Sequence, residues 1–208
     1  MLRARSLLFV PLALMITASQ AQAAAIFHAF LNGANETTPN NSTATGLATF
    51  ELNDAMTALS MTVTINGIDI TGTQTSDTTD NLTAAHIHAL APGAPINAAG
   101  GVVWGFFGMP FNNTMPNEGT VTPFATGVGG VFTGVWNAPE GNGGTTLTAQ
   151  LNNLFNTRLY INFHTGEFPG GEIRGAISPV PEPATLTLLG LGLLALGRHQ
   201  VRRRRAIP

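Results

Sequence analysis

Apolar side chains recur at every second position through most of this chain, and that period leaves it little choice but to form sheet. Thr62-Val63-Thr64-Ile65, Leu159-Tyr160-Ile161-Asn162-Phe163-His164 and Glu172-Ile173-Arg174-Gly175-Ala176-Ile177 each alternate, and each is bounded by Asn, Gly, Pro or Asp. Such strands put one face on a core and leave the other half to solvent. Five more are expected at Ile26 to Leu31, Gly46 to Leu52, Leu82 to Leu90, Val102 to Phe107 and Val131 to Trp136. Turns fall at Asn53-Asp54, Asn66-Gly67, Pro92-Gly93 and Pro169-Gly170-Gly171. Only Thr146 to Phe155 reads as helix, with Thr145 or Thr146 as its N-cap. The polar stretch Thr71 to Asn81 and the Gly/Pro/Asn-rich stretch Gly108 to Val128 read as loops. About eight short strands and one short helix predict an all-β fold, a single antiparallel β-sandwich or flattened Greek-key barrel.

Composition narrows the function classes. Charged residues are 10% of the 208, against roughly 25% in an average soluble domain, which argues against a coiled coil or a charge-rich tail. All nine basic residues are arginines, and seven of them sit at the two ends. Residues 24–179 hold only Arg158 and Arg174 against ten carboxylates, a net −8, so no nucleic-acid partner is expected. The chain has no cysteine, which removes thiolate zinc sites, iron–sulfur clusters, blue copper and thiol nucleophiles.

The ends read as addresses. Met1-Leu2-Arg3-Ala4-Arg5, an apolar run from Leu7 to Ala18 and then Ala21-Gln22-Ala23 have the three parts of a secretory signal peptide, with cleavage by signal peptidase expected after Ala23. At the other end Val180-Pro181-Glu182-Pro183 leads into an apolar stretch, Ala184 to Gly197, followed by Arg198 and the run Arg202 to Arg205. Fourteen residues make roughly 21 Å of helix, short of a hydrocarbon core of about 30 Å, so this short transmembrane helix would be a marginal, transient membrane anchor. Its arginines would stay on the cytoplasmic side and put the domain outside. The order of Pro-Glu-Pro, short apolar helix and arginines resembles the PEP-CTERM sorting signal of Gram-negative bacteria. That resemblance implies removal by an exosortase and an exported protein of the envelope, outer surface or extracellular matrix, with exopolysaccharide or envelope components as partners. The division expected is therefore 1–23 signal peptide, 24–179 β-domain and 180–208 sorting signal; a plain C-terminal anchor is the alternative.

The domain carries a resemblance of its own. Phe27-x-Ala29-x-Leu31-Asn32-Gly33-x-x-Glu36, Thr45-Gly46-x-Ala48, Ala85-His86-Ile87-His88 and the closing block from Tyr160 through Phe168-Pro169-Gly170-Gly171-Glu172-Ile173-Arg174-Gly175 are similar to a CHRD domain, the module found as repeats in chordin. The resemblance implies an immunoglobulin-like or related β-sandwich over residues 25–178, and says less about activity.

Chemistry is concentrated in four residues. His86 and His88 flank Ile87 in a strand, so their side chains share a face with Cα atoms about 7 Å apart and can converge on one cation. By the same parity His164 leaves the face of Leu159, Ile161 and Phe163 and joins Tyr160 and Asn162. If Pro169-Gly170-Gly171 closes a hairpin, Glu172 and Arg174 return toward His164. His86, His88, His164 and Glu172 are thus the candidate metal ligands, for zinc or copper, with affinity expected to fall below about pH 6 where free imidazoles protonate. The alternative is that the histidines are solvated and that Glu172 and Arg174 pair across the sheet. His28, in parity with Ile26 and Phe30, is expected to be a packed or variable position. Ser42, Ser60 and Ser76 stand in no G-x-S-x-G elbow, which weakens a hydrolase reading. The expectation is an exported binding or structural module that holds a metal; the alternative is a metal-dependent extracellular enzyme of copper or zinc redox type.

Overall fold

The computed structural model describes residues 24–181, 190–194 and 196. Ten strands form one antiparallel sheet: β1 (Ala25–Asn32), β2 (Thr45–Leu52), β3 (Ala58–Asn66), β4 (Leu82–Ala89), β5 (Gly101–Phe107), β6 (Thr120–Pro123), β7 (Gly129–Asn137), β8 (Leu159–Thr165), β9 (Ile173–Ala176) and β10 (Ser178–Pro179). Their order across the sheet is β5-β4-β8-β9-β1-β2-β3-β7-β6, and β10 pairs with β1 as well. The sheet curls until its far strands meet. Trp104 of β5 stacks on Trp136 of β7 with centroids 5.7 Å apart and planes 11° apart, and Phe163 of β8 meets Phe132 of β7 edge-on at 5.4 Å. Burying two indoles and two phenyl rings in one interior supplies a large share of the apolar area that holds such a curl closed. The predicted all-β class and antiparallel pairing are what the chain adopts, as a half-barrel rolled from a single sheet.

Alternation shows how the sequence drives this. In β3, Leu59, Met61, Val63 and Ile65 are buried while Ser60, Thr62 and Asn66 face out, and in β7 Phe132 and Trp136 point inward. A short helix, α1 (Leu147–Phe155), starts where Thr146 accepts a hydrogen bond from the Ala149 amide at 3.2 Å. It buries Leu147 and Leu154 and brings Phe155 to within 5.4 Å of Phe27. The open side of the curl is stitched by Glu140. Its buried carboxylate accepts from Trp104 Nε1 and from the amides of Thr114, Met115 and Asn137. Beside it the Asn142 amide donates to the Val103 carbonyl at 2.7 Å.

Two expectations need correction, and a third lies mostly outside the described residues. The stretch Gly108 to Val128 is not loop throughout: it contains β6, whose four residues are all exposed and therefore carry no apolar signal. Main-chain pairing with β7 and a 2.7 Å hydroxyl contact between Thr120 and Thr133 hold it. Nor are β4, β8 and β9 half-buried. His86, His88, Tyr160, Asn162 and Arg174 lie on the face away from the apolar core and are nonetheless buried, because the connections after β1, β4 and β5 fold over that face. Finally, among the described residues no helix is long and apolar enough to cross a membrane. Most of the expected anchor, Ala184 to Gly197, and all of the signal peptide fall outside the described residues; positions 190–194 and 196 are helical and exposed.

Candidate metal centre

Strand register gathers the three histidines. β4 and β8 pair with His86 opposite Asn162, His88 opposite Tyr160 and Ala84 opposite His164, so the imidazoles occupy adjacent places on one polar face. Their ring centroids are 5.7 Å apart for His86 and His88, 5.2 Å for His86 and His164, and 5.9 Å for His88 and His164. One ring nitrogen from each lies within 4.8 Å of the other two. Nitrogens sharing one zinc ion at about 2.0–2.1 Å stand no more than about 4.2 Å apart, so the rings need close in only slightly to hold one.

The opposite ring nitrogens fix the tautomers. His86 Nε2 is 3.0 Å from the Met109 carbonyl, His88 Nδ1 is 3.0 Å from the Gly100 carbonyl and His164 Nδ1 is 3.1 Å from the Pro169 carbonyl. A carbonyl oxygen only accepts, so each of these nitrogens carries the proton and the other holds a lone pair. Those others, His86 Nδ1, His88 Nε2 and His164 Nε2, are buried and have no hydrogen-bond partner. Buried polar atoms without partners are rare in folded proteins and call for an explanation. A bound cation supplies one for all three together.

Electrostatics keep the imidazoles in the ligating form. Burial, and then the nearness of His164, pushes His86 down to about 4. Burial does the same to His88, also to about 4, with further lowering from His164, His86 and Arg174 against a raising bond to Gly100. His164 is lowered by burial too. All three are neutral at neutral pH, as metal ligation requires.

Around the trio lies a buried polar row that sequence parity only partly revealed. Tyr160 stacks on His88 with centroids 4.8 Å apart and planes 6° apart. The Arg174 guanidinium sits 3.5 Å from the Tyr160 ring centroid, and donates to Thr37 Oγ1 at 2.9 Å and to the Ile96 carbonyl at 2.7 Å. Glu36, in the loop after β1, is buried nearby; desolvation raises its carboxyl to about 7 against the pull of Arg174. Glu36 Oε1 and Asn162 Oδ1 are further buried acceptors without partners. No sequence signal placed Glu36 here, since it stands in a Thr/Asn-rich loop far from both strands. The carbonyls of Gly100, Met109 and Pro169 are backbone groups with no side-chain signature at all.

Glu172 does not join the histidines. Its carboxylate is taken up by two hydroxyls, accepting from Ser42 Oγ at 2.6 Å and from Thr165 Oγ1 at 2.6 Å. Glu172 itself stands in a bend, before β9 begins at Ile173, so the strand alternation does not extend back to it. Arg174, within β9, does reach the polar face. His28 shares its outward parity with Ile26 and Phe30 and is half-buried, away from the cluster.

No curated protein and no solved structure matches this chain. A PEP-CTERM protein-sorting motif matches residues 179–204, and it implies processing by an exosortase and export to the cell envelope or surface of a Gram-negative bacterium. The curled sheet, from β1 to the end of β9, coincides with the match of the CHRD domain to residues 27–177, and the chain belongs to the CHRD family.

Proposed function

We propose that this chain is an exported CHRD module that binds a zinc or copper ion through His86, His88 and His164 and serves as a binding or structural component of the envelope or extracellular matrix. The observation that carries the reading is that His86, His88 and His164 each bring a ring nitrogen within 4.8 Å of the others', and that each ring has one buried nitrogen without a partner while a backbone carbonyl holds the other. Neutral imidazole is the commonest metal ligand, and its nitrogen suits zinc and copper better than calcium or magnesium, which prefer oxygen. Signal peptidase at Ala23 and an exosortase at Pro181-Glu182-Pro183 would release the metal-binding part. Exopolysaccharide or other envelope components are the partners that fit this route. The −8 charge of residues 24–179 disfavours nucleic acid and anionic surfaces.

Metal analysis of the purified protein, followed by titration of the stripped protein with Zn²⁺ and Cu²⁺, tests the reading. One ion per chain is expected, lost in the His86→Ala, His88→Ala double variant. Binding unchanged in that variant, or none in the wild type, overturns it.

A further inference from the structure

We infer that the ion held by His86, His88 and His164 keeps one coordination position open, and that this position takes a small anion of a few heavy atoms. The inference rests on the metal reading above and concerns what else the ion binds. Among the described residues the convergent donor set stops at three: no Asp, Glu or further His offers an atom to the group. Glu172 is occupied by Ser42 and Thr165, and there is no cysteine in the chain. Structural zinc sites close four protein ligands around the ion, whereas a three-ligand set leaves a place for water or an exogenous group.

Charge selects the class. Three neutral imidazoles leave a divalent ion's charge uncompensated, in a place where His86 is 5% and His88 7% exposed. A buried, unbalanced charge is costly. A fixed positive charge stands close by: the Arg174 guanidinium lies 3.5 Å from the centroid of the Tyr160 ring that stacks on His88. The Glu36 carboxyl packs toward Arg174 and Asn162 rather than the trio. An anion at the open position balances the ion; a cationic ligand adds to the imbalance.

Space selects the size. Each ring is pinned through its protonated nitrogen to a main-chain carbonyl, of Gly100, Met109 or Pro169, so the rings cannot swing apart freely. The ring nitrogens without partners, His86 Nδ1, His88 Nε2 and His164 Nε2, are all buried from solvent. A ligand of diatomic or triatomic size fits such a site, and an aromatic or branched carboxylate does not.

The test uses the purified wild-type protein loaded with one equivalent of Cu²⁺, with sodium azide as probe and electron paramagnetic resonance and visible absorption as readouts. The expected result is a saturable spectral change at one azide per copper, with no change on adding benzoate at the same concentration. Stoichiometric copper whose spectrum azide leaves unaltered would overturn the open position while leaving the metal site standing. An equal response to benzoate would overturn the size limit. If no copper binds, or if it binds equally to the His86→Ala, His88→Ala double variant, the metal reading and this inference fall together.

Discussion

Tyr160 and His88 lie face to face, 4.8 Å between ring centroids and 6° between planes, and both are tied to Gly100. The Gly100 amide donates to the phenolic oxygen at 2.9 Å, and the Gly100 carbonyl takes the proton of His88 Nδ1 at 3.0 Å. One residue of the β4–β5 connection therefore sets both the tautomer of a ligand and the position of the ring stacked on it.

Tyr160→Phe keeps the stack and removes the hydroxyl, leaving the Gly100 amide without its acceptor. We expect a stability loss of about 1 kcal/mol, the usual net worth of a neutral hydrogen bond. Metal affinity should fall by roughly 10-fold, as it does when a group that orients a metal ligand is lost. Tyr160→Leu removes the stack and the seat of Arg174 as well, and should cost more on both counts. Denaturant unfolding and zinc titration of the two variants check this; equal affinities in both would mean that Gly100 is held by its own loop.

How much of this was legible in the sequence depended on what each residue needed from its neighbours. The class of fold was legible because period two is a property of each strand alone, as in β3, where Leu59 to Ile65 would read the same in any sheet. His86, His88 and His164 were legible as a face for the same reason. What could not be read is whatever depends on a loop crossing the face: the burial of Asn162 and Arg174, the arrival of Glu36, and the carbonyls that fix the imidazole tautomers. Glu172 was misplaced because the alternation of β9 was carried back from Arg174 onto a residue that lies in a bend before the strand begins at Ile173. Strand β6 was missed since an exposed edge strand needs no apolar alternation to pair.

The lowered ring pKa values change the pH at which metal is lost. At free imidazoles protons would begin to compete with the ion near pH 6.5, but His86 and His88 sit at about 4. Zinc affinity should therefore hold almost level from pH 8 to about 5 and fall only below that, instead of falling below about pH 6. Zinc titrations at half-unit intervals between pH 4 and pH 8 measure the midpoint. A midpoint near 6.5 would place the imidazoles in water rather than beneath the loops.

Stability of the metal-free protein should respond to pH in two opposed ways. His86 and His88 have folded pKa values below the unfolded value of 6.5, so the unfolded chain takes up protons first on acidification. Their contribution is complete above pH 6.5 and is lost as pH falls toward 4. Glu36 runs the other way: its folded value of about 7 lies above the unfolded 4.5, so its contribution is complete below pH 4.5 and lost as pH rises through 7. Glu36→Gln removes only the second effect. Its stability relative to wild type should rise from pH 5 to about pH 7 and level off by pH 8, as followed by urea unfolding; a constant difference across that range would show Glu36 to be ionised throughout.

Gly171 is the position where the candidate site tolerates least. Its φ of +131° is a conformation that side chains rarely adopt. An added Cβ would also stand 2.5 Å from Asn162 Nδ2, 2.7 Å from Glu36 Oε2 and 2.8 Å from Glu36 Oε1. Those are the ends of side chains, and both residues are buried. Backbone strain and crowding together should make Gly171→Ala destabilising by about 2 kcal/mol or more. Its neighbour is the control. Gly170 has ordinary backbone angles and nothing within 4 Å of a Cβ, so Gly170→Ala should stay within about 0.5 kcal/mol of wild type. Because the turn also carries the Pro169 carbonyl that holds His164, the Gly171 variant should lose zinc affinity while Gly170→Ala keeps it. Indistinguishable melting temperatures and affinities for the two variants would show that the turn can yield without disturbing Glu36, Asn162 or His164.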